Sequence, residues 1–231
     1  MDSRLVLWDV DHTLIVTRGV GTEMYRRAFA EVTGRRMDHL AEVTGRTELA
    51  IWADTLRLHG IEPTAELERR YATVLARQYE LHADELSRRG RPLPGAGAAL
   101  DALAGRDDLI QSVLTGNLRA VAIIKLRTFG LAEHVDFDVG GYGDDHPERP
   151  KLVAVAQRRA EGKYGVAFDR SSTVLIGDSA QDIAAGQHGG AAVVAVASGR
   201  ERTEQLSRAG AQLVLPDLTD TAAVVDAVLK A

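Results

Sequence analysis

The chain has 231 residues, 45% apolar and 26% charged, the balance of an ordinary soluble globular protein. Its 28 Lys and Arg against 33 Asp and Glu give a net charge of −5, which excludes the basic field expected of a nucleic-acid-binding surface. It has no cysteine, which excludes disulfides, thiolate nucleophiles and cysteine-ligated zinc or iron–sulfur sites, and this suits a cytoplasmic protein.

The first predicted strand is LVLW at residues 5–8, four apolar residues that run directly into Asp9 and Asp11. That run is too short for a signal peptide, and no later stretch approaches the roughly 18 apolar residues of a membrane span, so no membrane association is expected. From Thr17 to Arg91 the pattern is helical only: residues 19–34, residues 47–60 and a long charged stretch over residues 64–89. In that stretch arginine alternates with glutamate, the mark of a solvated helix face. Pro92, Pro94 and Gly95 then stop the helices. Further apolar runs follow at 109–115, 135–140, 172–178, 191–199 and 211–217, separated by amphipathic helices over 117–130, 149–162 and 179–190. Runs this continuous suit strands buried on both faces, and their alternation with helices predicts an α/β fold with a doubly wound parallel sheet. The expected organisation is a core of residues 1–16 and 92–231, with 17–91 inserted as a helical unit after the first strand.

Four features carry chemistry. Asp9 and Asp11 follow the first strand, at the edge where open α/β sheets bind ligands. Alone, the pair reads equally as a polar turn, with Thr13 as a cap for the next segment. An EF-hand calcium loop fits less well, since Thr13 and Leu14 stand where it needs Asp or Asn and then Gly. Asp178 ends a second strand and Asp182 lies four residues on, about one helical turn. Acidic groups converging from two strands repel one another unless a cation neutralises them, and an all-oxygen set suits magnesium. Thr115 offers a hydroxyl at a third strand end, with Gly116 and Asn117 leading into a helix whose free N–H groups can hold an anion. Arg149 and Lys151 open another helix, where a cation is misplaced against the helix dipole unless an anion binds nearby.

In this order, and each at a strand end, these motifs resemble those of the haloacid dehalogenase superfamily: Asp9-Val10-Asp11-His12-Thr13, the run ending at Thr115, a basic residue, and Gly177-Asp178 to Asp182. The insert at 17–91 is similar to the small helical cap of its phosphoglycolate phosphatase-like branch. The resemblance implies a magnesium-dependent phosphatase acting on a small phosphorylated metabolite, as a monomer or homodimer. In it Asp9 is the nucleophile and Asp11 the acid and base. Asp9, Asp178 and the Asp11 backbone carbonyl hold the ion, with Asp182 as a ligand or as a hydrogen-bond acceptor behind the ligands. Thr115 contacts the phosphoryl group, with Thr13, Gly116 and Asn117 beside the substrate.

The sequence departs from the family pattern in two places. His12 stands where the family often has glycine. The third motif is usually a lysine, often in Lys-Pro; here Arg149-Pro150 mimics it, with Lys151 as the second candidate. In the cap, residues 44–50 (TGRTELA) occupy the place of a loop that descends onto the active site, and Arg46 would suit an anionic substrate. A hexose-phosphate phosphomutase and a haloacid dehalogenase are the alternatives on the same fold. The second is disfavoured because its chemistry needs neither a metal nor a leaving-group acid, and a non-catalytic binding protein is disfavoured because every acidic residue is kept.

Overall fold

Strand β1 (Arg4–Trp8) has no polar face: Leu5 and Leu7 point into one apolar cluster, Val6 and Trp8 into another. Side chains alternate across a strand, so β1 must be covered on both sides and lies inside a layered α/β structure. In the computed structural model, which describes residues 3–231, this is what surrounds it. A five-stranded parallel sheet runs in the order β4–β1–β5–β6–β7, where β4 is Leu109–Val113, β5 Thr173–Gly177, β6 Ala192–Val196 and β7 Leu213–Leu215. Helices α5 (Ala96–Ala104) and α10 (Thr221–Lys230) cover one face, and α7 (Arg149–Tyr164) and α8 (Ala180–Gly189) the other. The apolar run at 135–140 is not a strand. Asp136 Oδ1 accepts the Asp138 N–H at 3.0 Å, so the aspartates bend this segment into turns. It meets the β4 edge at Asp136, whose N–H reaches the Gln111 carbonyl at 2.8 Å and whose carbonyl accepts the Ser112 hydroxyl at 2.6 Å.

The segment after β1 is helical: α1 (Val20–Thr33), α2 (Glu48–Leu58), α3 (Ala65–Leu81) and α4 (Ala83–Arg89). The charged helical stretch over 64–89 forms two helices, broken at His82, where the backbone leaves helical geometry. Two short strands, β2 (Ile15–Val16) and β3 (Arg91–Pro92), pair antiparallel where the chain leaves the core and returns. Val20, Met24, Ala28 and Val32 of α1 and Tyr71, Leu75 and Tyr79 of α3 recur at helical spacing and meet Trp52 and Leu56 of α2 in one apolar cluster. Leu118 and Val121, from the start of α6 (Arg119–Thr128), complete it, so the helical segment is seated on the core by apolar burial. Among the described residues no helix is long and apolar enough to cross a membrane.

A carboxylate is buried against this cluster. Glu48 is 7% exposed, and its Oε2 accepts hydrogen bonds from the hydroxyls of Tyr25 and Tyr71, the latter at 3.2 Å. Tyr71 is fixed in turn by stacking on Trp52, ring centroids 4.0 Å apart. Burial pushes the Glu48 carboxyl up from 4.5 to about 7, against the pull of the tyrosine hydroxyls. The folded protein therefore binds this proton more tightly than the unfolded chain. The resulting stability is full below pH 4.5 and is lost as pH rises through about 7, a swing of about 3 kcal/mol. Glu48→Gln removes it. In denaturant unfolding the stability difference between variant and wild type should move in favour of the variant by up to about 3 kcal/mol from pH 4.5 to pH 8. A difference independent of pH would show that Glu48 is not desolvated in solution.

Candidate active site

The carboxyl ends of β4, β1 and β5 lie side by side, because β1 pairs with β4 on one side and β5 on the other. Asp9 follows β1, Asp178 follows β5 and Thr115 follows β4, so three residues far apart in sequence are delivered to one rim. The Asp9 N–H still donates to the Ile176 carbonyl at 2.8 Å, which locks its position against β5. Beyond Asp9 the chain reverses within a few residues. His12 takes φ +68°, the left-handed conformation that glycine adopts without strain, and this gives a backbone reason for the family's preference at that position.

Asp9, Asp178 and Asp182 are all buried and offer carboxylate oxygens within 4.8 Å of one another. Thr13, fully buried, bridges the two strands: its Oγ1 lies 3.2 Å from Asp178 Oδ1 and 3.4 Å from Asp9 Oδ2. Arg149, at the start of α7, places one guanidinium nitrogen between Asp9 Oδ1, at 2.7 Å, and Asp182 Oδ1. The other Asp182 oxygen closes a capping box at the start of α8, taking Ser179 N–H at 3.1 Å and Ser179 Oγ at 2.6 Å. Gly177 is required here, since a Cβ would come within 2.4 Å of the Asp182 carboxyl carbon. Both Asp182 oxygens are thus engaged, one by Arg149 and one by Ser179, which makes it the anchor of Arg149, while Asp9 is held by Arg149 and Thr13 and Asp178 by Thr13. Lys151 is exposed, beyond this cluster.

Three buried carboxylates face one guanidinium. Burial, and then the charge of Asp182, push the Asp9 carboxyl well up; burial, and then the charge of Asp9, push Asp178 up. This excess of negative charge among hard oxygen donors is the environment that a divalent cation relieves. Arg149 Nε is buried without a partner among the described residues.

The side chain of Asp11 turns away from this group, towards a residue that the sequence pattern did not single out. Lys125, 5% exposed on α6, places Nζ 2.7 and 3.0 Å from the Asp11 oxygens and 2.6 Å from Asn117 Oδ1. Asn117 Nδ2 donates to Asp11 Oδ2 and to Thr115 Oγ1, each at 2.7 Å. Burial works against the charges of both members of the pair, but Lys125 holds Asp11 below the usual carboxylate range and Asp11 holds Lys125 protonated. The available signal was a lysine among Val121, Ala122 and Leu126 on the buried face of an otherwise amphipathic helix.

The loop before α2 closes the site from the cap side. Glu48 N–H donates to the Gly116 carbonyl at 2.8 Å, and Thr47 Oγ1 to the Pro147 carbonyl at 2.9 Å. The Arg46 carbonyl lies where a Cβ on residue 116 would be, 2.0 Å from it, so Gly116 admits the cap loop. Arg46 borders the cleft, but its guanidinium is turned to Asp54 at 2.6 Å and to the carbonyls of Glu42 and Ala50. Its charge is satisfied within the cap. Between cap and core is a cleft of about 380 Å³, lined by Asp9, Asp11, Thr115, Arg149, Asp178 and Glu48 among others.

The model of the haloacid dehalogenase-like hydrolases matches residues 6–187, a span that holds every motif described above. The chain is 24% identical over 230 residues to the probable phosphatase IndB of Dickeya dadantii strain 3937, covering 98% of this chain and 95% of that protein. Among solved structures, a hydrolase from Pseudomonas syringae superposes with a TM-score of 0.67 at 23% identity, covering 97% of this chain and 99% of that one. A predicted phosphoglycolate phosphatase from Haemophilus somnus 129PT superposes with a TM-score of 0.62 at 18% identity, over 97% and 99%. With a family match that takes in β1, β4 and β5 and the acidic rim at their ends, the chain belongs to the haloacid dehalogenase-like hydrolases.

Proposed function

We propose that this chain is a magnesium-dependent phosphatase that hydrolyses a small phosphate monoester through an aspartyl-phosphate on Asp9. The reading rests above all on Asp9 itself: a buried carboxylate at the tip of a central strand, with Arg149 on one oxygen and the cleft before it. An Asp9 oxygen attacks phosphorus in line, forming the acyl-phosphate bond as the ester P–O bond breaks. Asp11 gives its proton to the departing alkoxide, then takes one from the water that attacks phosphorus and releases phosphate, which restores Asp9. Lys125 and Asn117 hold the Asp11 side chain in place for both transfers. The approach of a dianionic phosphoryl group favours the protonated form of Asp11 that the first transfer needs.

The carboxylates of Asp9 and Asp178 and the backbone carbonyl of Asp11 would hold the magnesium ion, which when bound offsets charge on the phosphoryl oxygens. Arg149 and the Thr115 hydroxyl stabilise the same oxygens from the protein side. The names of the Dickeya and Haemophilus relatives support phosphate-ester chemistry, and the small helical cap suits a small metabolite. Water as acceptor distinguishes this activity from a phosphomutase, in which the phosphoryl group passes to a sugar phosphate.

Asp9→Asn should lower turnover of p-nitrophenyl phosphate by at least about a thousandfold while circular dichroism shows an intact fold. Full activity in that variant would remove Asp9 from its role. Arg149→Ala should lower kcat/KM by about a hundredfold or more, and Lys151→Ala by less than about threefold. The reverse order would place the third motif at Lys151.

A further inference from the structure

One carboxylate, Glu48, stands on the cap wall of the cleft, and the cations Lys125, Arg46 and Arg149 that line the same cleft are already paired. Glu48 gives one carboxylate oxygen, Oε2, to Tyr25 and Tyr71. Its other oxygen, Oε1, receives no hydrogen bond from the described residues and is not among their sealed, unpartnered polar atoms, and Glu48 lines the cleft while staying 7% exposed. A buried carboxylate with one oxygen fixed and the other bare is an acceptor prepared for a donor from outside the protein. The cations around it cannot serve a second anion. Lys125 is committed to Asp11 and Asn117, Arg46 to Asp54 and two carbonyls, and Arg149 to Asp9 and Asp182. Of the cleft-lining arginines, Arg18 and Arg200 have no such partners among the described residues, and both are exposed.

We propose, on the phosphatase reading given above, that Glu48 is a specificity-determining residue that accepts a hydrogen bond from a hydroxyl of the departing alcohol. It thereby selects phosphate esters of neutral polyols or sugars over esters whose leaving group carries an anion beside the phosphate. A hydroxyl on a carbon close to the ester satisfies Oε1. A carboxylate there meets the charge of Glu48, with Asp11 also near and Lys125 already paired to Asp11, while the unpaired Arg18 and Arg200 stand exposed. The backbone bond from Glu48 to Gly116 and the Tyr71–Trp52 stack keep the acceptor in position, so selection needs no further closure of the loop.

The test measures kcat/KM of the full chain at pH 8 with magnesium, where Glu48 is ionised, on sn-glycerol 3-phosphate, D-ribose 5-phosphate and 2-phosphoglycolate, with p-nitrophenyl phosphate as reference. At least one hydroxylated ester should exceed 2-phosphoglycolate by about tenfold or more. In Glu48→Gln the tyrosine hydroxyls hold the amide oxygen and turn the NH2 group to the cleft, so that ratio should fall about fivefold or more, mainly through KM. Tyr25→Phe, which loosens the carboxylate without removing it, should move the ratio in the same direction and serves if the glutamine variant folds poorly. A wild-type preference for 2-phosphoglycolate, no turnover of either hydroxylated ester while p-nitrophenyl phosphate is consumed, or a ratio unmoved in a folded variant would each overturn the assignment of Glu48 alone. Absence of turnover on all four esters would overturn the phosphatase reading, and this inference with it.

Discussion

The site depends on one electrostatic problem: Asp9, Asp178 and Asp182 are buried together at the end of the sheet with a single guanidinium among them. Like charges this close are tolerated only if something offsets them, and Arg149 offsets part. The remaining negative charge explains the arrangement around it. Thr13 ties the carboxylates of two strands to one hydroxyl, and the Ser179 capping box holds Asp182 rigid so that Asp182 can in turn hold Arg149. A parallel sheet supplies the frame, because its neighbouring strands β4, β1 and β5 all end on the same rim.

Beside this acidic group lies a second, chemically separate unit. Asp11 comes two residues after Asp9, yet its side chain belongs to Lys125 and Asn117, the latter tied in turn to Thr115. One turn of chain thus holds two carboxylates in opposite environments, the first with its proton affinity raised by burial and the second with its affinity lowered by a lysine. That division suits one group to bond phosphorus and the other to carry protons. The cap completes the enclosure by backbone contact at Gly116, so the loop that brings Glu48 to the cleft is registered against the same strand end that carries Thr115.

How much could be read from the sequence depended on how local each signal was. The strands at Leu5–Trp8 and Thr173–Gly177 declared themselves because both faces are buried, and their terminal aspartates were plain because acids seldom end such runs. The segment 135–140 misled because its valines fit a strand, while the side chain of Asp136 competes for the backbone N–H groups that a ladder would need. Lys125 was missed because its partner lies 114 residues away, and one lysine in an amphipathic helix looks like surface. Arg46 read as a substrate cation because Asp54, which neutralises it, becomes its neighbour only once α2 forms. Gly116 suggested an anion cradle, whereas what requires glycine there is the carbonyl of a residue from the cap. For Lys125 and Gly116 the deciding contact is tertiary, and spacing along the chain carries no trace of it.

The central claim is that Asp9 and Asp178 share one divalent cation, and direct metal binding tests it without recourse to turnover. Mn2+ is titrated into the wild-type protein and into Asp178→Asn, with free ion followed by electron paramagnetic resonance. The account predicts one ion per wild-type chain and at least about a tenfold loss of affinity in the variant. Equal binding by the two proteins would contradict it.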